Sequence, residues 1–518
     1  MDDRDAPTEI ELTLRLSPEA AERLKRHRGL ARWRNGRSLS RRLVATYYDT
    51  PELALRGHQI ALRVRKIGAR HIQTVKQAPN AEAGLLRRLE DEIAVPGQAP
   101  DVHLVTQKKL RRLLAAPGIA PHLRPTFVTD FRRLTVPLEV GDSLVEMAVD
   151  RGEISADGSV RPICEVELEL KHGRVGALYE VARALAEVVP VAIEPLSKAE
   201  RGYGLITGER PQPRRAEPLD LDRECTIGDA FELIGRNCLM QLRANVASAQ
   251  AAVTPEGVHQ LRVSIRRLRS ALHAFRKLLP DEERRRVVAM VRWIMQVCAP
   301  ARAWDVFVAE CLDPLREHLP EDAPHDALQG FTADVEQMQA DAHARVEALL
   351  ADPRFTASCL ELESWWESGT ARSMLGGAAD LPLLPFARDT IRALARRLHT
   401  EAEAMAERGA EELHDVRIRA KKLRYTAEFL RSLFRRKAAK AYLGALADLQ
   451  DRLGSINDAI TARTLLDDLE RVRPPADAED RARARALIAG WASARIAEDL
   501  RAVPGLWEAF AALKPFWR

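Results

Sequence analysis

Aromatic side chains are scarce in this chain, 5% of 518 residues. Single-stranded nucleic-acid binders usually stack bases on aromatic platforms, so that class of partner is disfavoured. Long apolar runs are missing too, since none approaches the ~18–20 residues of a membrane span. The opening MDDRDAPTEIE is acidic and has no apolar core, so a secretory signal is not expected. Cys164, Cys225, Cys238, Cys298, Cys311 and Cys359 form no C-x-x-C pair. That scatter speaks against a disulfide framework or a zinc site and leaves buried, reduced thiols in a cytoplasmic protein. Charge of one sign is also absent: 80 Lys plus Arg stand against 75 Asp plus Glu, a net +5.

What is present divides near residue 210. The length exceeds one core, and two or three are expected. Before the division, EIELTLRL, IALRVRK, HIQTVKQ, RRLEDEIAV, SLVEMAVDRGEI and CEVELELKHG alternate polar and apolar residues, the period of a strand. Helical patterns interrupt near 18–28 and 173–188. After residue 222 the chain reads as amphipathic helix. The junction ERPQPRRAEPLDLD holds Pro211, Pro213 and Pro218, which continue neither ladder, so 209–222 is expected to be a linker. The expected domains are therefore 1–208 and 223–518.

Charged residues on the strands are sorted by sign. Glu9 and Glu11 share a strand face, as do Glu165, Glu167 and Glu169, and as do Glu146 and Asp150. Arg63 and Arg65 repeat the spacing with guanidinium groups, and Lys76, Arg88 and Glu90 lie on further strands. For any one strand, a charged face in water is the simpler alternative. Gathered inside a barrel, the carboxylates would bind a hard divalent cation and the bases would bind phosphate oxygens. Charge inside implies a wet, functional interior.

EIE at 9–11, YYDTP at 47–51, ALRVR at 61–65, TVK at 74–76, RRLEDEI at 87–93, TDFRR at 129–133, MAVDRGEI at 147–154, PICEVELEL at 162–170 and LSKAERGY at 196–203 resemble, in order, the CYTH domain. This is the triphosphate tunnel metalloenzyme family, and the likeness is strongest to its bacterial inorganic triphosphatases. The resemblance implies a closed antiparallel β-barrel around a triphosphate and a Mg²⁺ or Mn²⁺ cofactor. Glu9, Glu11, Lys76 and Glu167 are the implied catalytic set. Glu9, Glu11, Asp150, Glu165, Glu167 and Glu169 are the implied metal side. Arg63, Arg65, Lys76, Arg88, Arg133 and Lys198 are the implied substrate side. Metal would neutralise phosphate charge and activate a water. The family signature is E-x-E-x-K, but position 13 is threonine, with Arg15 two residues on. Thr13 therefore separates two expectations: an active metal-dependent triphosphatase, and a non-catalytic polyphosphate receptor or granule-associated protein with a degenerate barrel. Nucleotide cyclisation is a weaker third, because the family includes adenylate cyclases.

The helical half repeats itself. HQLRVSIRRLRSALHAF begins at His259 and HDVRIRAKKLRYTAEFL at His414, 155 residues on. His259, Arg262, Arg266, Arg269 and His273 fall on one helical face, as do His414, Arg417, Lys421 and Arg424. Arg267 and Lys422 are expected to widen that face. Leu261, Ile265, Leu268 and Leu272 form the opposing apolar stripe, and Val416, Ile418, Leu423 and Ala427 form the second. Like charges in successive turns repel unless an anion compensates, which points to a polyanion. Trp304-Asp305 and Asn457-Asp458 follow the two copies, and the aspartates are expected to partner the basic helices. VHQLRVSIRRLRSAL, LHDVRIRAKKLRYTAEFL and LGSINDA resemble the CHAD domain, a helical family associated with polyphosphate. That resemblance implies two bundles related by a pseudo-twofold, their basic stripes facing across a groove. The histidines are expected to titrate near neutrality, so that anion affinity rises as pH falls.

Overall fold

The computed structural model describes residues 8–26, 28–77, 86–251, 254–319, 325–402, 413–473 and 478–518. Two compact units emerge. One holds 1–212, 246–251 and 351–370, and the other holds 213–245, 252–350 and 371–518.

The first unit is an antiparallel sheet of β1 (Thr8–Leu16), β2 (Leu39–Asp49), β3 (Ile60–Ile67), β4 (Arg70–Gln77), β5 (Leu86–Val95), β6 (Arg124–Val140), β7 (Ser143–Ala156), β8 (Ser159–His172) and β9 (Val191–Ile193). The strand order is β5-β4-β3-β2-β6-β7-β8-β1-β9, and β1 also pairs with β5. That last pairing sets Ile10 opposite Arg87 and joins the first strand of the order to the eighth. Tight turns account for the order of β6, β7 and β8. Asp157 and Gly158 both take positive φ (46° and 81°), the two-residue geometry that matches strand twist.

Period-2 alternation separates the faces. Leu62, Val64 and Val75 join a core with Leu55, Val105, Leu110 and Leu114. Arg63 and Arg65, one residue out of phase, point to the other side. The helix Gly176–Val188 packs against the helix Pro353–Glu367, so a segment from far along the chain belongs to this unit. A Cβ at Gly176 would stand 3.0 Å from that of Ser368, so the two backbones approach closely.

The second unit is helical. The helices Ile227–Ala244, Pro255–Ala274 and Asp281–Phe307 pack in sequence, and Leu383–Ala402, Leu413–Leu430 and Arg436–Val472 repeat the sequence. Corresponding helices also meet: Pro255–Ala274 packs on Leu413–Leu430, and Asp281–Phe307 packs on Arg436–Val472. Leu261, Ile265, Leu268 and Leu272 are fully buried, as expected of the first apolar stripe. Ile418 departs from the second stripe, being 37% exposed. Lying two residues after Val416, it is turned about 200° around the helix axis from that residue, off the buried arc. The expected linker is tied down rather than loose: Arg214 N donates to Asn245 Oδ1 (2.9 Å) and Leu221 N to Ser432 Oγ (2.9 Å). Cys238, Cys298 and Cys311 are buried, and burial pushes their thiols up to about 11, 12 and 11. Among the described residues no helix is long and apolar enough to cross a membrane.

Candidate functional site

Strand register assembles the carboxylates of the sheet. Asp150 on β7 stands opposite Arg133 on β6 and Glu165 on β8. Glu167 stands opposite Ala148 on β7 and Thr13 on β1. One oxygen each from Asp150, Glu165 and Glu167 lies within 4.8 Å of the others. Three carboxylates at this spacing suit a hard divalent cation.

The helix Lys198–Thr207 adds cations to the same place. A capping box fixes its start: Glu200 N donates to Ser197 Oγ (3.2 Å) and Ser197 N to Glu200 Oε2 (2.9 Å). Gly202 lets it lie close on β6, because a Cβ there would overlap the Phe127 ring. Lys198 Nζ is 2.7 Å from Asp150 and 2.6 Å from Glu167, and also contacts Glu165. One turn on, Arg201 Nη2 lies 2.5 Å from Glu165. Arg133 forks onto Asp150 (2.8 and 2.6 Å) and reaches Glu167. Arg133 and Lys198, expected on the substrate side, are thus bonded to the metal-side carboxylates. The reason is geometric: position 133 is in register with 150, and helix capping aims Lys198 at the sheet. Burial would push the Glu167 carboxyl up, but Lys198 and Arg133, with Lys76 behind them, hold it well below the usual carboxylate range.

A second group gathers the bases of β3 and β4. Arg63 Nη1 lies 3.5 Å from the Tyr47 hydroxyl, and Arg63 Nη2 is 4.0 Å from both Glu90 and Glu92. Lys76 Nζ is 3.3 Å from Glu90. The Nε donors of Arg63 and Arg65 are buried without a partner. Burial, with Arg63 and Arg133 nearby, pushes Arg65 down to about 10. Burial raises the Tyr47 phenol, but Arg63, Arg65 and Lys198 together bring it below its ordinary value. Lys76 on β4 acts on Glu167 on β8, although four strands separate them in the order.

Other expected residues fall differently. Glu11 is buried and opposite Glu169. Glu169 is 2.6 Å from Lys171, and neither it nor Glu11 joins the three-carboxylate group. Glu146 stands opposite Glu169. The side chains of Glu9 and Arg88 lie outside the described residues, although their backbones pair with each other. Thr13 is buried and Arg15 exposed. Tyr47 and Arg201 were not singled out by sequence, yet an aromatic inside an arginine cluster and a base three residues after Lys198 were available signals. Asp49 of YYDTP is structural: it accepts from Thr50 N, Leu55 N, Arg56 N and the Tyr203 hydroxyl (2.7, 2.8, 3.0 and 2.8 Å).

In the helical unit the two basic faces meet. Arg266 on the first lies in electrostatic range of Arg417 and Lys421 on the second, and Arg269 in range of Lys422. Buried donors stand unpartnered on both: Arg262 Nε, Arg417 Nε and Nη1, and Arg424 Nε. Unsatisfied guanidinium groups in a crowd of cations call for an anion. Arg262 Nη1 donates to Met295 O (3.1 Å), and Arg424 is 3.5 Å from Glu428. Burial, with Arg417 and Arg266, pushes Lys421 down to about 7, against the pull of Asp458.

Three expectations are corrected here. Burial and neighbouring arginines push His259 and His273 down to about 4, so neither titrates near neutrality in the free protein. Arg267 does not widen the basic face: it is buried, donating to Gln241 Oε1 (2.8 Å) and Asn237 Oδ1 (2.6 Å). Asp305 accepts from Gln339 (2.9 Å) and sits 2.8 Å from His343, not on a basic helix, whereas Asp458 does face Arg417 and Lys421. His414 Nδ1 lies 3.1 Å from Asn457 Oδ1.

Comparison with known proteins matches both halves. The CYTH domain family model matches residues 7–203 and the CHAD domain family model matches residues 233–467. An inorganic triphosphatase of Haemophilus influenzae is 32% identical over 195 residues, which are 38% of this chain and 54% of that protein. The chain thus spans about half the length of that curated relative (54%). The crystal structure of the CHAD domain from the plant Ricinus communis is 33% identical, with a TM-score of 0.50, over 58% of this chain and 98% of that one. With the carboxylate-and-base sheet in the first half and the paired basic helices in the second, the chain belongs to the CYTH and CHAD families, one domain of each in that order.

Proposed function

We propose that this protein is a metal-dependent inorganic triphosphatase whose CHAD domain binds polyphosphate. The observation that carries the first part is the reach of Lys76 to Glu167 across the sheet, with Arg65 near Arg133, and Arg63, Arg65 and Lys198 all acting on Tyr47. The β1–β5 pairing supports the same reading, because it brings the first strand of the order to the eighth, as a tunnel requires, with β9 outside that circuit. The likeness to an inorganic triphosphatase supports the substrate.

Asp150, Glu165 and Glu167 are the residues that would hold Mg²⁺ or Mn²⁺, with Glu9 and Glu11 as further candidates from β1. The metal, when bound, neutralises phosphate charge and makes the terminal phosphorus more electrophilic. Arg63, Arg65 and Lys76 take the phosphate oxygens, and the buried, unpartnered Nε donors of Arg63 and Arg65 need no rearrangement to do so. Water attacks the terminal phosphorus in line, and the bridging oxygen leaves with the diphosphate. Thr13 does not leave Glu167 without a cation, since Lys198 and Arg133 are already on it. Purified protein with tripolyphosphate should release phosphate with Mg²⁺ or Mn²⁺ and stop on chelation. No release with either metal would leave only the polyphosphate-binding reading.

For the CHAD domain, the paired contacts between corresponding helices support a pseudo-twofold groove. Lys421 gives it a pH signature. Its pKa of about 7 leaves it about half charged at neutrality, and a bound polyanion restores the charge. Binding should therefore take up protons near pH 7, and affinity should rise as pH falls from 9 towards 6. Calorimetry in two buffers of different ionisation enthalpy measures the uptake, and Lys421→Arg should abolish it. Equal uptake in that variant would assign the proton elsewhere.

A further inference from the structure

The Lys198 ammonium sits among the three carboxylates that a divalent metal would use. It is 2.7 Å from Asp150 and 2.6 Å from Glu167, it contacts Glu165, and its side chain is 7% exposed. Asp150, Glu165 and Glu167 carry three negative charges, and Lys198, Arg133 and Arg201 carry three positive charges. Over these six groups the charges balance, and buried Glu194 stands 3.8 Å from Arg201 at the edge of the cluster. A divalent cation added to it would leave two uncompensated charges where water is scarce, at high cost.

The three bases are not equally held. Arg201 is 3% exposed, bonded to Glu165 and 3.8 Å from Glu194. Arg133 is locked by a two-bond fork on Asp150. Lys198 has a single ammonium on a flexible four-carbon stem at the first position of its helix. It is the cation that can leave without breaking a fork. A triphosphate arriving beside Arg63, Arg65 and Lys76 would supply both the missing negative charge and new acceptors for the ammonium.

Resting on the triphosphate-site reading above, we propose that Lys198 is a resident counter-cation that divalent metal and triphosphate displace together. The ammonium moves from the carboxylates to phosphate oxygens as the metal takes its place. The metal alone is therefore held weakly, and triphosphate tightens it.

The test is Mn²⁺ titration of the full chain, followed by electron paramagnetic resonance of the free ion. It is run with and without an imido analogue of tripolyphosphate, which resists hydrolysis. The background is Arg262→Ala, Arg266→Ala, Arg417→Ala and Lys421→Ala, which silences the helical anion site. With Lys198 intact, the analogue should tighten Mn²⁺ at least tenfold. Lys198→Met should bind Mn²⁺ alone at least tenfold tighter and lose most of that coupling, whereas Lys198→Arg should keep the weak affinity. Analogue binding that leaves Mn²⁺ affinity unchanged overturns the displacement alone, as does Lys198→Met with affinity equal to or below the parent's. A parent that binds no analogue overturns the triphosphate site as well. If Lys198→Met fails to fold, the parent's own coupling decides.

Discussion

Glu167→Gln should abolish metal-dependent release of phosphate from tripolyphosphate while the protein stays folded. Loss of a hydrogen-bonded partner behind a metal ligand already costs about 10–100-fold, so loss of a ligand should exceed about a hundredfold. The fold survives because Lys198 keeps Asp150 and Glu165, Arg133 keeps its fork on Asp150, and Glu167 is 18% exposed. Glu165→Gln should behave differently. Glu165 is fully buried between Lys198 and Arg201, and Arg201 would be left with only the 3.8 Å contact to Glu194. Removing one partner of a buried pair costs about 3–5 kcal/mol, so this variant should lose thermal stability as well as turnover. Phosphate release and thermal unfolding measured on both variants separate the two effects. Turnover within tenfold of wild type in Glu167→Gln would remove that carboxylate from the metal site.

The second large effect belongs to the paired basic helices. Replacing Arg262, Arg266, Arg417 and Lys421 together with Ala should eliminate retention on immobilised polyphosphate. Each charge-assisted bond contributes about 1.5–3 kcal/mol, so losing four exceeds the affinity of most single sites. Retention by the wild type should fall steeply with salt, as counterion release requires. The same variant should unfold no more easily than the wild type, because these cations repel one another. Burial and then Arg417 and Arg266 depress Lys421, burial and then Arg266 depress Arg417, and burial and then Arg266 depress Arg262. A variant that loses retention and stability together would point to a structural role; one that keeps retention would move the site.

The strand half was legible because alternation is a local signal. EIE, ALRVR, MAVDR and CEVELEL each announce a face, and register then brings Asp150, Glu165 and Glu167 together. Which base accompanies which carboxylate was not legible. Arg133 and Lys198 have the charge of phosphate ligands, and only register and a helix cap reveal that they sit on Asp150 and Glu167. In the helical half the repeat and its basic faces were plain from offsets of three and four. The protonation of His259, His273 and Lys421 was not, because it depends on burial and on arginines from other helices such as Arg302 and Arg397. Arg267 looked like one more surface base until Asn237 and Gln241, on the helix Ile227–Ala244, proved to be its partners.

The helix Pro353–Glu367 bears on how the protein is dissected genetically. It is encoded in the middle of the stretch matched to the CHAD family, yet it packs on Gly176–Val188 within the first unit. A clone stopping after the CYTH match would be missing a wall of its own core, and one beginning after it would carry a helix with no seat. Ancestry and foldability therefore set different borders here, and the severable piece is not the inherited one.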